Sequence, residues 1–174
     1  AEIIVKKLKE FFPTTKSALN YSNPWEFLVS VILSAQCTDV AVNKATETLF
    51  KKYPTIESYV KADFEEFNMN IKSITFHNNK AKNVLATAKI IHETYKDELP
   101  RTMDAMLMLP GVARKTANVV LSNEFGVIEG IAVDTHVRRL SNLYGLTTND
   151  NPEKIEKDLM EILPKKEWPE FTLR

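Results

Sequence analysis

The sequence predicts an all-α fold. Strand patterns are nearly absent from the 174 residues, whereas apolar residues recur at helical spacing along most of the chain. All four glycines fall between the periodic segments, where turns and helix ends are expected. Because 44% of the residues are hydrophobic, the chain can build a substantial core, either as one domain or as two small lobes.

Six helices are predicted in the first half of the chain. Each follows from apolar residues at helical spacing, and the second is apolar almost all round and therefore expected to be central. In chain order, the predictions rest on Ile4, Leu8 and Phe11, ending before Pro13; on residues 25–33, with Pro24 in the first turn; on Val42, Ala45, Leu49 and Tyr53, capped by Asp39; on residues 56–60; on residues 64–67; and on Ala81, Val84, Ala88, Ile91 and Tyr95.

Four more helices are predicted in the second half. Each begins at or after a residue that can cap or open a helix, and each ends near a glycine or a proline. They are a short helix over 103–108 capped by Thr102; one entered through the turn Pro110-Gly111, with Val119, Val120 and Phe125; one from Asp134 to Gly145, with Val137, Leu140 and Tyr144; and a last one from Asn151-Pro152 to Pro164, with Ile155, Leu159 and Ile162.

Composition limits the classes of function. The charge is balanced, with 23 basic and 23 acidic residues, so no general positive field indicates a nucleic-acid binder, although a local patch can suffice. The single cysteine, Cys37, excludes an intrachain disulfide and fits a reducing compartment. Because no apolar run is long enough to span a membrane and no signal-peptide pattern begins the chain, we expect a soluble, cytoplasmic protein.

The most informative segment covers residues 109–118 and reads Leu-Pro-Gly-Val-Ala-Arg-Lys-Thr-Ala-Asn. Its tight Pro-Gly turn precedes a helix and aims backbone N–H groups outward, as an anion site requires. Lys115 falls in the first turn of that helix, whose positive end favours the neutral amine that a nucleophile needs. Asp134 adds a carboxylate about twenty residues later. Together these features suggest chemistry on a phosphate-bearing substrate.

These residues resemble the helix-hairpin-helix and catalytic-aspartate region of the endonuclease III family of DNA glycosylases. The matching blocks occur in the family's order and cover residues from about 21 to 145; they are Leu33-Ser34-Ala35-Gln36-Cys37-Thr38-Asp39, Asn79-Lys80-Ala81, residues 109–121, and Ala132-Val133-Asp134-Thr135-His136-Val137. The resemblance implies a helix-hairpin-helix DNA glycosylase fold. A six-helix barrel over residues 17–127 would carry the hairpin, and residues 1–16 and 128–174 would form a second helical lobe built from both termini.

The resemblance implies a base-excision repair DNA glycosylase with AP lyase activity, a monomer that removes oxidised pyrimidines from duplex DNA. Lys115 would attack the sugar C1′ and leave a Schiff base that allows β-elimination at the 3′ phosphate. Asp134 would stabilise positive charge on the sugar and assist proton transfer. Its position also suits a helix N-cap, and the two roles are compatible.

The phosphate-binding hairpin implied by the resemblance comprises Leu109, Gly111, Val112, Ala113 and Arg114. An ordinary helix–helix turn is the alternative, because Pro-Gly turns are common. The family usually has a second glycine where this chain has Ala113. We therefore expect weakened phosphate binding, with backbone strain as well if φ at Ala113 is positive.

Two further segments resemble the family's DNA-probing loops. Gln36 would enter the gap left by a flipped nucleotide, since extrusion costs stacking energy that a filler residue offsets. Phe76 and His77 fill the second loop, where Phe76 either wedges into the duplex or belongs to the core. Cys37 is expected to act as a small buried hydrophobe.

No metal site is predicted, because the three histidines lack the spacing of metal ligands. The family usually carries a four-iron four-sulfur (4Fe-4S) cluster held by four cysteines in a C-terminal loop. The sequence stops before that loop, so we expect a truncated second lobe with no cofactor. The apolar residues that we expect to be incompletely covered are Ile4, Leu8, Phe11, Leu159 and Phe171.

Two alternatives remain from sequence. One is a non-catalytic helix-hairpin-helix module that binds DNA by its phosphates alone. Asp134 and Gln36 count against this alternative, because a module that only binds the DNA backbone needs neither residue. The other is a glycosylase of different base specificity. Lys115 counts against the adenine-specific branch of the superfamily, where this position is usually not lysine.

Overall fold

A computed structural model describes residues 2–13 and 15–174. Every regular element within these ranges is helical and none is a strand, which confirms the predicted all-α class. The helices are α1 (Glu2–Phe11), α2 (Pro24–Ser34), α3 (Asp39–Lys52), α4 (Ile56–Val60), α5 (Phe64–Asn70), α6 (His77–Tyr95), α7 (Met103–Leu107), α8 (Arg114–Phe125), α9 (Thr135–Leu143), α10 (Pro152–Ile162), one turn of 3₁₀ helix (Lys165–Glu167) and α11 (Trp168–Phe171). In these described ranges, no helix is both long and apolar enough to cross a membrane.

Side-chain caps begin several of these helices where the sequence predicts them. Thr102 caps α7 and Asn151 caps α10, each by accepting a hydrogen bond from a backbone N–H of the first turn. The predicted cap of α3 is wrong. Thr38 accepts from the Ala41 N–H at 3.3 Å, and Asp39 is the first helical residue, where its charge still suits the helix dipole.

The chain continues past the predicted last helix. After Pro164, the 3₁₀ turn and α11 follow, so the prediction that α10 is the final helix is wrong. α11 has only four residues, which is too short to show a helical period in the sequence. Its Trp168 is buried and donates from Nε1 to the Leu163 carbonyl at 2.9 Å.

The chain divides into two compact units. One is Ala18–Thr116, and the other joins the residues up to Ser17 to Ala117–Arg174. The division falls inside α8, whereas the sequence predicts a barrel that extends to residue 127. The predicted division into a barrel over residues 17–127 and a lobe of residues 1–16 and 128–174 therefore stays a prediction.

The unit Ala18–Thr116 is built around α2 and α6. α2 is buried around most of its circumference, as its apolar sequence predicts. The stripe Ala81, Val84, Ala88 and Ile91 on α6 is fully buried, which confirms the helical period. Tyr53, Tyr59 and Phe67 pack their rings together at centroid distances of 5.4–5.7 Å, which closes the core beside α3, α4 and α5.

The second unit has its own core, formed by Ile131, Val133, Val137, Ile155, Leu159, Leu163 and Trp168. Leu159 lies at its centre and is fully buried, so the prediction that it is incompletely covered is wrong. Phe11 is 72% exposed, and Ile4, Leu8 and Phe171 are half-buried, as predicted. α1 is held by an ion pair of 2.6 Å between Lys9 Nζ and Glu167 Oε1.

Candidate catalytic residues and nucleic-acid interface

The Pro110-Gly111 turn joins α7 to α8 as a tight hairpin. The Val112 N–H donates to the Leu109 carbonyl at 3.1 Å, and Gly111 has a φ of +78°, a conformation that favours glycine. The side chains of Leu109 and Val112 are buried, whereas Gly111 and Ala113 are exposed. The hairpin thus anchors itself with two apolar side chains and presents its backbone.

Two residues of α6 support this turn, and the sequence analysis missed both. The buried Thr87 donates from Oγ1 to the Pro110 carbonyl at 2.9 Å. Asn83, one helical turn earlier, lies so close that a Cβ at Gly111 would be 2.9 Å from Asn83 Cβ and Nδ2. Thr87 interrupts the apolar stripe of α6, and this polar residue in a buried register is the signal that could have identified it.

Ala113 precedes α8, and its methyl side chain offers no hydrogen-bond acceptor to the first turn. Positive φ at non-glycine residues occurs in the described ranges only at Gln36, Phe76, Lys96 and Asp97. The strain considered for Ala113 is therefore absent. Lys115, the second residue of α8, is exposed, and Arg114 before it is half-buried.

Asp134 caps α9, as the sequence predicts. Its Oδ1 atom accepts hydrogen bonds from the N–H groups of His136 at 2.9 Å and Val137 at 2.8 Å. Both hydrogen bonds of the cap go to Oδ1, and the side chain is half-buried. One oxygen can hold the helix while the other acts on a substrate. Asp134 belongs to the second unit and Lys115 to Ala18–Thr116.

Gln36 lies in the loop between α2 and α3. Its side chain is exposed, and its φ of +55° is a left-handed conformation that glutamine seldom adopts. The Lys80 side chain holds the α2 end of this loop, because Nζ donates to the Leu33 carbonyl at 2.8 Å and to the Ala35 carbonyl at 2.6 Å. The sequence analysis assigned no role to Lys80.

Phe76 precedes α6, also in a left-handed conformation with φ of +58°. Its side chain is 61% exposed, so the alternative that it belongs to the core is wrong. His77 is half-buried, and its Nδ1 lies 2.6 Å from Oδ1 of the buried Asn68. This contact fixes the imidazole beside the loop.

Cys37 connects the two loops. Its Sγ accepts a hydrogen bond from the Thr75 N–H at 3.2 Å and lies 3.4 Å from Thr75 Oγ1. It is half-buried and hydrogen-bonded, so the prediction of a small buried hydrophobe is wrong. Partial burial raises the pKa of this thiol, but the Thr75 hydrogen bonds and the positive charge of Lys80 outweigh that effect and lower the pKa. Burial lowers the pKa of Lys80 in turn, and Cys37 opposes that shift.

The residues of this chain do not fit an iron–sulfur cluster. A four-cysteine ligand set needs more than the single cysteine of the sequence. In the part of the chain that the structure describes, no three His, Cys, Asp or Glu side chains are grouped to hold a metal ion.

Comparison with known proteins gives one family. The model of the HhH-GPD superfamily base excision DNA repair proteins matches residues 29–165. The Endonuclease III of Bacillus subtilis (strain 168) is 48% identical over 168 residues, covering 96% of this chain and 76% of that protein. The Endonuclease III of Escherichia coli (strain K12) is 41% identical over 161 residues, covering 92% of this chain and 76% of that protein.

Solved structures agree. A non-covalent Endonuclease III–DNA complex has a TM-score of 0.94 at 42% identity, covering 99% of this chain and 80% of that chain. A trapped covalent Endonuclease III–DNA intermediate gives the same TM-score and identity, covering 99% and 81%. A thermostable thymine-DNA glycosylase has a TM-score of 0.84 at 25% identity, covering 99% and 82%. These likenesses confirm the predicted helix-hairpin-helix glycosylase fold.

Proposed function

The chain belongs to the HhH-GPD superfamily of base excision DNA repair proteins, and we propose that within this superfamily it removes oxidised pyrimidines from duplex DNA as a monomer. The enzyme is a DNA glycosylase with AP lyase activity and binds DNA, as its Endonuclease III relatives at 41–48% identity indicate. A non-catalytic DNA-binding module does not fit these relatives. The cytoplasm is the proposed location.

Lys115 is the proposed nucleophile, and its exposed position in the first turn of α8, directly after the hairpin, is the observation that carries this assignment. The lone pair of the neutral amine forms a bond to C1′, the bond from C1′ to the base breaks, and the base leaves with that electron pair and takes up the proton that the new secondary amine releases. The C1′–O4′ bond then breaks, O4′ takes up a proton from solvent, and the nitrogen lone pair forms the C=N bond of a protonated Schiff base on Lys115. Loss of a proton from C2′ then expels the 3′ phosphate by β-elimination.

Asp134 is proposed to stabilise the positive charge that develops on the sugar. Its Oδ1 is committed to the α9 cap by two hydrogen bonds, which fixes the carboxylate before substrate arrives. The carboxylate can then contribute through Oδ2 without reorganising. In many enzymes, a charge that is fixed in advance where the opposite charge develops makes the largest single contribution to the rate enhancement.

The hairpin is proposed to bind a DNA phosphate through the backbone N–H groups of Gly111, of Ala113 and of the start of α8. The positive end of a helix favours an anion at this place. Leu109 and Val112 are buried and their N–H groups donate to the Met106 and Leu109 carbonyls, so they would hold the hairpin in its binding shape, while Arg114 adds positive charge. Gln36 and Phe76 are proposed to enter the duplex at the extruded nucleotide, which fits their exposure.

Covalent trapping tests the assignment of Lys115. Borohydride should reduce the Schiff base and give a protein–DNA adduct on a duplex with an abasic site. Lys115→Ala should bind the same duplex and give no adduct, with lyase turnover reduced about 10⁴-fold or more. Lys154 provides a matched control, because it is also an exposed lysine in the first turn of a helix. Undiminished trapping by Lys115→Ala, or equal loss in Lys154→Ala, would contradict the assignment.

A panel of duplexes tests the lesion range. Thymine glycol should be incised faster than a G·T mismatch or 3-methyladenine in single-turnover reactions. Faster incision of the mismatch would favour the alternative base specificity.

Sedimentation of the protein with and without DNA tests whether it is a monomer. Iron analysis of the purified 174-residue chain tests the proposal that these residues bind no cofactor.

A further inference from the structure

The loops that carry Gln36 and Phe76 share an unusual backbone feature. Each places one exposed side chain on a residue in the left-handed region, with φ of +55° at Gln36 and +58° at Phe76. Such a conformation is unfavourable for residues with a Cβ and persists only where neighbouring contacts impose it. Both loops lie within Ala18–Thr116.

Two side chains and one backbone N–H group supply those contacts. Cys37, next to Gln36, accepts from the Thr75 N–H, and Thr75 is next to Phe76. The residues directly before Phe76 and directly after Gln36 are therefore hydrogen-bonded to each other across 38 positions of sequence. Lys80 leaves the first turn of α6 and donates to the carbonyls of Leu33 and Ala35, directly before Gln36.

Lys80 is placed for support rather than for contact with DNA. Its side chain is buried, with 6% of its surface exposed, and its amine already donates to two carbonyls. The carbonyls at the end of α2 have no partner inside the helix, and a cation there is favoured by the helix dipole. A buried ammonium so engaged has little left to offer a phosphate.

We propose that Lys80, Cys37 and Thr75 join the loops of Gln36 and Phe76 into one preorganised unit, and that Lys80 is the positioning residue for extrusion of the target nucleotide. This inference rests on the proposed function, since it takes Gln36 and Phe76 as the side chains that enter the duplex. Both side chains are then held for insertion before DNA binds. Ordering them in advance lowers the entropic cost of insertion.

Two substrates separate this role from a general loss of structure. An abasic site in a fully paired duplex requires extrusion, whereas the same site inside a bubble of unpaired bases does not. Lys80→Met keeps the aliphatic stem and removes the donors. It should slow borohydride trapping on the paired duplex about tenfold and leave trapping on the bubble unchanged. Fluorescence of 2-aminopurine opposite the abasic site should rise more slowly by the same factor.

Matched variants make the test decisive. Lys82 lies two residues further along α6 and is exposed, so Lys82→Met should leave both rates unchanged. Cys37→Ala removes the acceptor for the Thr75 N–H and should slow trapping on the paired duplex only. Cys37→Ser keeps an acceptor, so its trapping rate should equal that of the unsubstituted protein. Should Lys80→Met fail to fold, as judged by circular dichroism, the Cys37 pair decides the question.

The outcomes distinguish the inference from the function on which it rests. If Gln36→Ala and Phe76→Ala slow the paired duplex but Lys80→Met and Cys37→Ala do not, the coupling is wrong and the role of the two loops stands. If Gln36→Ala and Phe76→Ala change neither rate, the role of the loops is wrong and the coupling falls with it. In the double variant Gln36→Ala/Lys80→Met, a loss no larger than that of Gln36→Ala supports coupling, and fully additive losses overturn it.

Discussion

The N-terminal ends of α8 and α9 differ in what satisfies their backbone N–H groups. At α9, Asp134 Oδ1 accepts from two of them. At α8, Ala113 occupies the corresponding place and its methyl group accepts nothing, while Lys115 adds a positive charge that the helix dipole disfavours. The residue before α9 caps its helix, whereas the residue before α8 has no side-chain acceptor, which suits the proposed role of that end in binding an anion. A helix end without such a cap is expected to be less stable by about 1 kcal/mol.

After the loss expected for Lys115→Ala, the largest effect should come from Asp134. Asparagine caps a helix about as well as aspartate does, so Asp134→Asn should retain the stability of α9. It loses the negative charge, and the single-turnover rate of base removal should fall on the order of 10²–10³. Asp134→Ala should lose a similar rate and also about 1 kcal/mol of unfolding free energy, measured by denaturant titration. Normal cleavage by Asp134→Asn would show that the residue acts only as a helix cap.

Gly111→Ala should destabilise the hairpin strongly, although it adds only one methyl group. A left-handed alanine costs about 1–2 kcal/mol, and the contact with Asn83 adds about 1 kcal/mol. DNA affinity should fall together with stability. Gly126 is the control, since it has a similar φ of +64° with nothing within 4 Å of an added Cβ. Gly126→Ala should cost only the left-handed term and leave affinity unchanged, and equal effects at both glycines would show that Asn83 is not a constraint.

Transferring the cap of α9 to α8 should separate stability from binding. Ala113→Asp gives the first turn of α8 an acceptor, which should raise the unfolding free energy by about 1 kcal/mol. The same carboxylate occupies the N–H groups and repels phosphate, so affinity for damaged and undamaged DNA should fall by about tenfold. Denaturant titration and fluorescence anisotropy measure the two effects. A gain in both would mean that this helix end does not contact DNA.

Ala113→Gly should give the smallest effect. It removes a methyl group beside the hairpin N–H groups without adding an acceptor, so binding should tighten about two- to threefold, equally for damaged and undamaged DNA. The slope of affinity against salt reports the number of phosphate contacts and should be unchanged or slightly steeper. An identical affinity would show that the methyl group at position 113 does not obstruct a phosphate.

Much of the fold follows from local sequence signals. The stripe of α6 and the cap of α9 depend on residues within one or two turns, so periodicity and capping rules predict them. The cap of α3 is Thr38 and not the predicted Asp39, which shows the limit of such rules. Both residue types cap helices, and only the backbone conformation decides between neighbours.

The candidate site depends on contacts between distant segments, which no local rule supplies. The burial of Lys80 against α2 and the bond from Thr87 to Pro110 follow from packing of α6 against its neighbours. Gly130 is a further case. It has no left-handed φ, and its lack of a side chain is required because Glu156 occupies the space that a Cβ would fill. The motif resemblance indicates the candidate site residues, but not the contacts that hold them.

The ion pair between Lys9 and Glu167 has a consequence for synthesis of the chain. The two residues are 158 positions apart, so at about 5–20 residues per second Lys9 is made roughly 8–30 s before its partner. Before that interval ends, the contiguous segment Ala18–Thr116 is complete, whereas the residues beyond 116 that share a unit with α1 are made last. The apolar face of α1 is therefore expected to stay uncovered until the end of the chain is made, and we expect ribosome-associated chaperones to bind it.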